Sequence, residues 1–527
     1  MDSGVASQHP VLATAILSEH SVVEGDPSPA DLIGHGTRMA GVALHSDLGA
    51  VVEQNAATAD HWIQNVKLIR ENNAGAAAEE NRKFWPVMTQ SAVKAAEGNG
   101  VRRRVFCMAV TASLGASHGA TSWSHAVDQL AYNDGGGRLF VVSIGNTDPA
   151  DHMALAQGYP TLNLDQVVED PAHAANALTI GAYTDKVTLP PNAPGLTCVA
   201  PSGGVSLFTR AGLRGARGGA LKPDVVFEGG NAAMDQHMVY ADLDTLSTVT
   251  TGREFLLRSL VTLNMTSLAA ANGARFAAQL WHDYPELQPQ TIRGLLVHSA
   301  TWTPRMLEQF PNVDERISLC GYGVPDLPFA RECAQERATV VVEGTIPNCT
   351  IEQRPDGSTR KRRVARLFRL PIPEDQLLDI DQVELRVTLS YFAEPNTFRR
   401  TVLHGMDLAF DVQGPTESED AFRRRINKLL REGAPKDAVG AGSFDWRIKK
   451  SRRSRGTVQS DRWDGTGAFL AGPKLIAVYP VLGWWDQRRG LEEQETRFSL
   501  IVTVRASGVD LYTPISQALT PVIELPA

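Results

Sequence analysis

Three short, largely apolar runs constrain this chain more than any other feature: Val105-Phe106-Cys107-Met108-Ala109-Val110, which is continuous, Leu139-Phe140-Val141-Val142-Ser143 and Ala177-Leu178-Thr179-Ile180-Gly181-Ala182. A strand with one wet face alternates polar and apolar residues. A run without that alternation has both faces covered, as in a parallel sheet with helices on either side. The segments around the runs agree. Residues 81–97 read as an amphipathic helix, and 122–133 as a second that closes in Asn133-Asp134-Gly135-Gly136-Gly137. Lys222-Pro223-Asp224 leads into one more strand after a Gly-rich loop at 203–220, and helices are predicted over 267–281 and 289–299. The class expected is α/β, with a parallel β-sheet flanked by helices.

From Ala338 the pattern changes. Thr339–Glu343, Arg363–Leu370, Val383–Tyr391, Leu475–Val481 and Arg497–Arg505 are β-rich, and Glu384-Leu385-Arg386-Val387-Thr388-Leu389-Ser390 alternates as a strand with one wet face does. An antiparallel, sandwich-like second domain is expected. A polar stretch near 415–470 interrupts it with a predicted helix over Ala421–Glu432. At 527 residues the chain exceeds one core, and the texture divides it into domains at 1–334 and 335–527.

A net charge of −8 sets the summed field against a phosphate backbone, so the chain does not read as a whole-protein nucleic-acid binder. The runs Arg360-Lys361-Arg362-Arg363, Arg423-Arg424-Arg425 and Lys449-Lys450-Ser451-Arg452-Arg453-Ser454-Arg455 could hold phosphates or an acidic partner. Such runs are more often solvated loop faces, and core packing explains the nearby Trp446, Trp463, Trp484 and Trp485 more cheaply than base stacking. No window approaches the roughly 20 apolar residues of a membrane span. Five cysteines without metal spacing suit reduced thiols, a Cys320–Cys333 bridge being the open alternative. The 13 histidines include no HExxH, which disfavours a metallohydrolase.

Four places carry residues suited to chemistry. The chain opens Met1-Asp2-Ser3-Gly4; a catalytic Asp in an α/β protein usually ends a buried strand, and here that strand would lie ahead of Met1. Gly34-His35-Gly36-Thr37 puts an uncrowded imidazole at a helix start. Ser143-Ile144-Gly145-Asn146 ends a strand with an amide able to donate to an oxyanion, or with a plain turn former. Thr266-Ser267 precedes an Ala-rich helix, where orphan N–H groups and the dipole favour negative charge; read alone, it is a helix cap.

Together, Asp2-Ser3-Gly4, Gly34-His35-Gly36-Thr37 and Thr266-Ser267-Leu268-Ala269-Ala270 resemble the three active-site blocks of the subtilisin-like serine peptidases (subtilases, peptidase S8), in that family's Asp, His, Ser order. Lys222-Pro223-Asp224 and Gly321-Tyr322-Gly323 resemble further subtilase blocks, so the likeness covers about residues 1–330. The resemblance implies an endopeptidase with Ser267 as nucleophile, His35 as general base and Asp2 as orienter of the imidazole. It implies an oxyanion hole from Asn146 and the Ser267 N–H, with Ser113, Leu114 and Gly115 pairing extended substrate and Ser143, Ile144 and Gly145 lining the specificity pocket. The substrate implied is a protein or peptide. No catalytic cofactor or metal is implied; calcium is a common structural ion of the family, and no Asp-rich loop places one here.

The sequence departs from the family pattern at Met265, where Gly is usual, at Ala271, where Pro is usual, and in lacking a recognisable pro-segment. Val387-Thr388-Leu389-Ser390-Tyr391-Phe392-Ala393-Glu394-Pro395-Asn396 resembles the C-terminal extension of a bacterial, cytoplasmic subtilase subgroup, implying a cytoplasmic location. Restraint of the activity by the second domain or a regulatory partner is open. Two other readings remain: an impaired, subtilase-like binding module with a basic C-terminal domain, and the same triad acting on an ester or in self-cleavage.

Overall fold

The computed structural model describes all residues except 55–57, 70–83, 99, 101, 113–119, 213–218, 336–338, 371, 373, 397–403, 433–443, 473, 507–522 and 527. Backbone contacts divide the chain into two units. One comprises Met1–Ala131, Arg138–Pro285 and Ala300–Pro325; the other comprises Tyr132–Gly137, Glu286–Ser299 and Asp326–Ala527.

The elements that frame the first unit are β1 (Ile16–Ser21), α1 (His35–His45), β2 (Ile63–Lys67), α2 (Trp85–Glu97), β3 (Val105–Met108), β4 (Leu139–Ser143), β5 (Leu178–Thr184), β6 (Val225–Glu228) and α3 (Met265–Asp283). The largely apolar runs form the parallel strands β3, β4 and β5, and β6 joins in parallel on the far side of β5. All five residues of β4 are buried, as its lack of polar alternation requires. β1 and β2 form a separate parallel pair.

Two motifs noted in the sequence serve the sheet. Buried Lys222 reaches Asp224 at 2.8 Å and the Ala177 carbonyl at 2.7 Å, while Asp224 accepts the Thr179 N–H at 2.7 Å, tying β6 to β5. Gly321 runs against that turn so closely that a Cβ would lie 2.3 Å from the Asp224 carbonyl oxygen.

The second unit carries α4 (Pro289–Ser299), α5 (Leu327–Ala334), β7 (Thr339–Pro347), β8 (Val364–Leu370), β9 (Val383–Tyr391), β10 (Asp407–Val412), α6 (Glu419–Glu432), β11 (Val458–Gly465), β12 (Lys474–Val481), β13 (Glu495–Ala506) and β14 (Ile523–Pro526). These strands make two antiparallel four-stranded sheets, ordered β7-β13-β9-β11 and β10-β12-β8-β14. The α/β class followed by a β-rich region is therefore as expected.

Helix α4 is dressed for this sheet. Buried Arg293 donates to the Tyr391 carbonyl at 2.5 Å and to the Thr457 carbonyl at 3.0 Å. Buried His298 sits between two hydroxyls, Thr388 Oγ1 at 2.8 Å from Nδ1 and Thr503 Oγ1 at 2.7 Å from Nε2.

The basic runs are largely committed to ion pairs. Arg453 and Lys450, both buried, meet Asp461 and Asp411 at 2.9 Å each; Arg425 meets Glu417, Arg423 meets Glu419, and Lys361, Arg362 and Arg363 meet Glu492, Glu352 and Asp486. Trp446, Trp463 and Trp485 are buried, as core residues should be. All five cysteines are free thiols. Among the described residues no helix is long and apolar enough to cross a membrane, and no cluster of His, Cys, Asp and Glu could hold a metal ion.

Candidate active site

The site is assembled at one end of two neighbouring helices. Met39 and Val42 of α1 share a buried cluster with Leu268 and Ala271 of α3. Farther along, Ser46 donates to Asn272 Oδ1 at 2.8 Å and Arg275 to the Leu44 carbonyl at 3.2 Å. Residue numbers rise together along the seam, so the helices run parallel and their N-termini share one end. His35 is the first residue of α1 and Ser267 the third of α3. Two helix N-termini thus bring their orphan N–H groups and positive dipole ends to the same region.

Asp2 reaches this end through the sheet. Its N–H donates to the Val66 carbonyl at 3.2 Å and its carbonyl accepts the Leu68 N–H at 2.7 Å, a parallel bridge continuing β2. The Met1 amine donates to the Cys107 carbonyl of β3 at 3.0 Å. The Asp2 side chain is thereby held with Oδ1 at 2.8 Å from His35 Nδ1, and Oδ1 also accepts the Ser3 N–H at 2.7 Å. The two flanking strands grip the Met1-Asp2 backbone directly.

Burial opposes charge on both members of the pair, but mutual attraction and their hydrogen bond outweigh it. The Asp2 pKa is lowered below the ordinary carboxylate value, and that of His35 is raised above the ordinary imidazole value, with Asp31 adding to the effect. The glycine after His35 is required by this closeness: a Cβ on Gly36 would lie 2.1 Å from the Gly4 carbonyl oxygen.

The Asn146 amide has a defined orientation. Its Oδ1 accepts the Thr266 N–H at 2.9 Å and the Thr266 hydroxyl at 2.6 Å. Because a backbone N–H only donates, the atom facing it is the oxygen, and Nδ2 points away with its two N–H groups. Thr266 Oγ1 also lies 2.8 Å from Ser143 Oγ, so Ser143, Thr266 and Asn146 form one network at the start of α3.

Ser143 and Ile144 are buried in β4 and its exit, and Gly145 takes a left-handed φ of 98° against the Glu169 side chain. Ser113, Leu114 and Gly115 lie outside the described residues. Met265 has a φ of 68°, a left-handed backbone that glycine adopts without strain. The usual glycine at this position is thus explained by conformation, and the methionine side chain packs on the cluster around Leu155, Leu207 and Phe208. Ala271, fully buried, lets α3 continue unbroken.

Residues 1–323 match the family model described as the Subtilase family, Peptidase_S8. The chain belongs to the subtilases. No curated protein matches it. Among solved structures it is similar to a cold adapted subtilisin-like serine proteinase, at 17% identity over 57% of this chain and 80% of that one, TM-score 0.37. It is likewise similar to a lanthipeptide protease, at 16% identity over 63% and 86%, TM-score 0.40, and to a structure titled for subtilase cytotoxin SubAB assembly, at 16% over 63% and 87%, TM-score 0.39. The family assignment rests on the family match and not on these overlaps.

Three supporting residues of this subtilase escaped the sequence reading. Asp31, buried, accepts from Ser3 Oγ at 2.9 Å, from the N–H groups of Ile33, Gly34 and Thr37 at 3.1, 2.7 and 2.8 Å, and from Thr37 Oγ1 at 2.6 Å, fixing the entry to α1. Its signal was an Asp three residues ahead of the Gly-His-Gly turn, the spacing of a loop capped by a carboxylate. Arg210 donates to the Asn146 carbonyl at 2.6 Å and pairs with Glu169 at 3.1 Å, bracing the Asn146 loop from behind. Arg210 and Glu169 lie 64 and 23 residues from the Asn146 they support, and nothing local marks them.

Proposed function

We propose that this subtilase is a serine endopeptidase working through Ser267, His35 and Asp2. The reading is carried by the Asp2–His35 contact of 2.8 Å at the start of α1, with Ser267 at the start of the neighbouring, parallel α3. In this mechanism Asp2 accepts the His35 Nδ1–H, which leaves Nε2 as the basic nitrogen. Nε2 removes the Ser267 hydroxyl proton as Oγ attacks the scissile carbonyl. The resulting oxyanion is held by the Asn146 amide and the Ser267 N–H, in the field of the α3 N-terminus. The imidazolium, stabilised by ionised Asp2, then protonates the departing amine, and a water repeats the sequence to release the acid.

The substrate on this reading is a protein or peptide, with Ser143 to Gly145 at the specificity pocket and Ser113 to Gly115 at the substrate edge. We place the protein in the cytoplasm, in the bacterial subgroup that its Val387–Asn396 segment resembles; five free cysteines suit a reducing compartment. The binding-module reading is the less favoured one, because many side chains of the basic runs pair with carboxylates of the same chain.

Fluorophosphonate labelling tests the assignment. The wild type is expected to label and the Ser267→Ala variant not to, with peptidase activity lost in parallel. An unlabelled but folded wild type, or labelling that survives the substitution, would remove the proposed chemistry.

A further inference from the structure

One short segment closes the floor of the crevice beyond β3 and β4. Glu169 donates its N–H to the Ile144 carbonyl at 3.1 Å, and Asp170 and Ala112 exchange both backbone hydrogen bonds, at 3.1 and 2.9 Å. The segment therefore crosses from the exit of β4 to the exit of β3. In an open α/β sheet the space outside the carboxyl ends of the strands is where ligands are held.

The Glu169 carboxylate lies on this floor. It covers the face of Gly145 so closely that a Cβ there would stand 2.5 Å from Oε2. Oε2 also accepts the Thr111 hydroxyl at 2.6 Å, which fixes it between the two strand exits. Gly145 is the chain neighbour of Asn146. On the catalytic reading the Asn146 amide holds the oxygen of the attacked carbonyl, and the side chain of the residue that owns this carbonyl starts at the very next carbon. A side chain that extends from there along Gly145 ends at Glu169.

Acidic groups outnumber basic ones on this floor. Arg210 pairs with Glu169 Oε1 at 3.1 Å, and its other two nitrogens donate to the Asn146 and Val167 carbonyls at 2.6 and 3.0 Å, so each of the three already holds an acceptor of the protein. Asp170, next in the chain and buried, accepts the Thr121 hydroxyl on one oxygen and the Ser124 hydroxyl on the other. Those hydroxyls hold it as an acceptor against the upward pull of burial on its pKa, and among the described residues no Lys or Arg pairs with it. Two carboxyl groups thus stand beside one guanidinium, where water screens little. A carboxylate only accepts hydrogen bonds, and Thr111 and Arg210 leave Glu169 with lone pairs to offer.

We infer that Glu169 sets the specificity of this site for lysine or arginine at the residue whose carbonyl is attacked. The long cationic side chain runs past Gly145 and gives its N–H groups to the remaining lone pairs of Glu169. An acidic side chain meets acceptors alone and is rejected. The inference narrows the proposed peptidase reading to basic cleavage sites and rests on that reading.

The test uses the full chain and four blocked tripeptide anilides that differ only in the residue before the anilide: Lys, Gln, Leu or Glu. The expected kcat/KM for Lys is about tenfold that for Gln or Leu and about a hundredfold that for Glu. In Glu169→Gln, which keeps the size of the side chain and loses its charge, the Lys-to-Leu ratio should fall about tenfold, while Glu169→Asp should keep most of it. The ratio is the deciding quantity because general damage to the site slows all four substrates together. The inference is overturned if Gln, Leu or Glu is cleaved as fast as Lys, or if the ratio survives in Glu169→Gln. Fluorophosphonate labelling of Ser267 on the same preparations separates two failures. A labelled enzyme without the Lys preference overturns this inference alone, and an unlabelled, folded wild type overturns it together with the catalytic reading.

Discussion

Asn146 and Thr266, 120 residues apart, are joined by two hydrogen bonds that both end on one oxygen, Asn146 Oδ1, at 2.9 and 2.6 Å. The pairing fixes the amide so that its N–H groups are left for another acceptor. Asn146→Ala should reduce kcat by about 10²–10³ with little change in KM, as expected for a single oxyanion donor, and should cost about 1–3 kcal/mol of stability because the Thr266 N–H and hydroxyl lose their acceptor. Thr266→Val keeps the backbone bond and loses the hydroxyl one, so about a tenfold loss is expected, and Thr266→Ser should restore the rate. Steady-state kinetics on a chromogenic peptide separates the three.

The Asp2–His35 pair predicts a pH profile. Peptidase activity requires neutral His35, whose pKa is raised, so kcat/KM should climb with pH through an apparent value above 6.5. Asp2→Asn removes the charge that raises it: the acid limb should move to lower pH, while kcat falls by about 10⁴ as the tautomer is lost. The stability contribution has the opposite slope. That of His35 is complete below pH 6.5 and disappears as pH rises through its folded value, whereas that of Asp2, whose pKa is lowered, disappears only at acidic pH. Activity and denaturation profiles of both proteins check the two slopes.

Met265 predicts an inverted substitution order. Met265→Gly relieves a left-handed backbone worth about 1–2 kcal/mol and gives up partly buried apolar surface, so stability should change by less than about 1 kcal/mol. Met265→Val places a β-branched residue at the same φ and should cost about 2 kcal/mol or more. Urea denaturation of the two variants decides it, with the smaller aliphatic change expected to be the more harmful.

Asp31 touches no reacting group, yet its substitution should act on the site. Asp31→Ala leaves donors at the start of α1 unpaired, and a loss of about 3 kcal/mol is expected with a parallel fall in kcat. Asp31→Asn keeps acceptor capacity on one oxygen alone and should fall between. Chemical denaturation and kcat, measured on the same preparations, test whether the loop positions His35.

In the second unit, Arg453→Met leaves Asp461 buried without its partner and should destabilise by about 3–5 kcal/mol. The double variant Arg453→Met, Asp461→Asn should recover much of that loss. A double-mutant cycle by denaturation measures it.

The layers of the fold were readable because burial on both faces erases the polar alternation of β4 and β5; alternation in Glu384–Ser390 marked an antiparallel strand but not its setting, since the expected wet face is covered and Arg386, Thr388 and Ser390 are buried. His35, Ser267 and Asn146 were readable because each ends or begins an element within a short motif. Asp31 was only faintly marked, and Arg210 and Glu169 not at all, since they act on the site across sequence distances that no local pattern encodes. Helix 289–299 reads in sequence as one more helix of the first layer. Its company is set by Arg293 and His298, polar side chains inside an apolar face, which meet Tyr391, Thr457, Thr388 and Thr503 of the second unit. The left-handed Met265 shows the limit from the other side, since the sequence displays an unusual residue but not the backbone that makes it so.

His298, enclosed by two threonine hydroxyls with Arg386 and Arg505 nearby, resists taking up a proton: burial first, then those two cations, hold its pKa well below the ordinary imidazole value. The unfolded chain accepts that proton as soon as the medium drops below about pH 6.5, while the native one refuses it. Mild acidification therefore pulls on the β-rich half from within, and a protein carrying this feature has its durability tied to near-neutral surroundings.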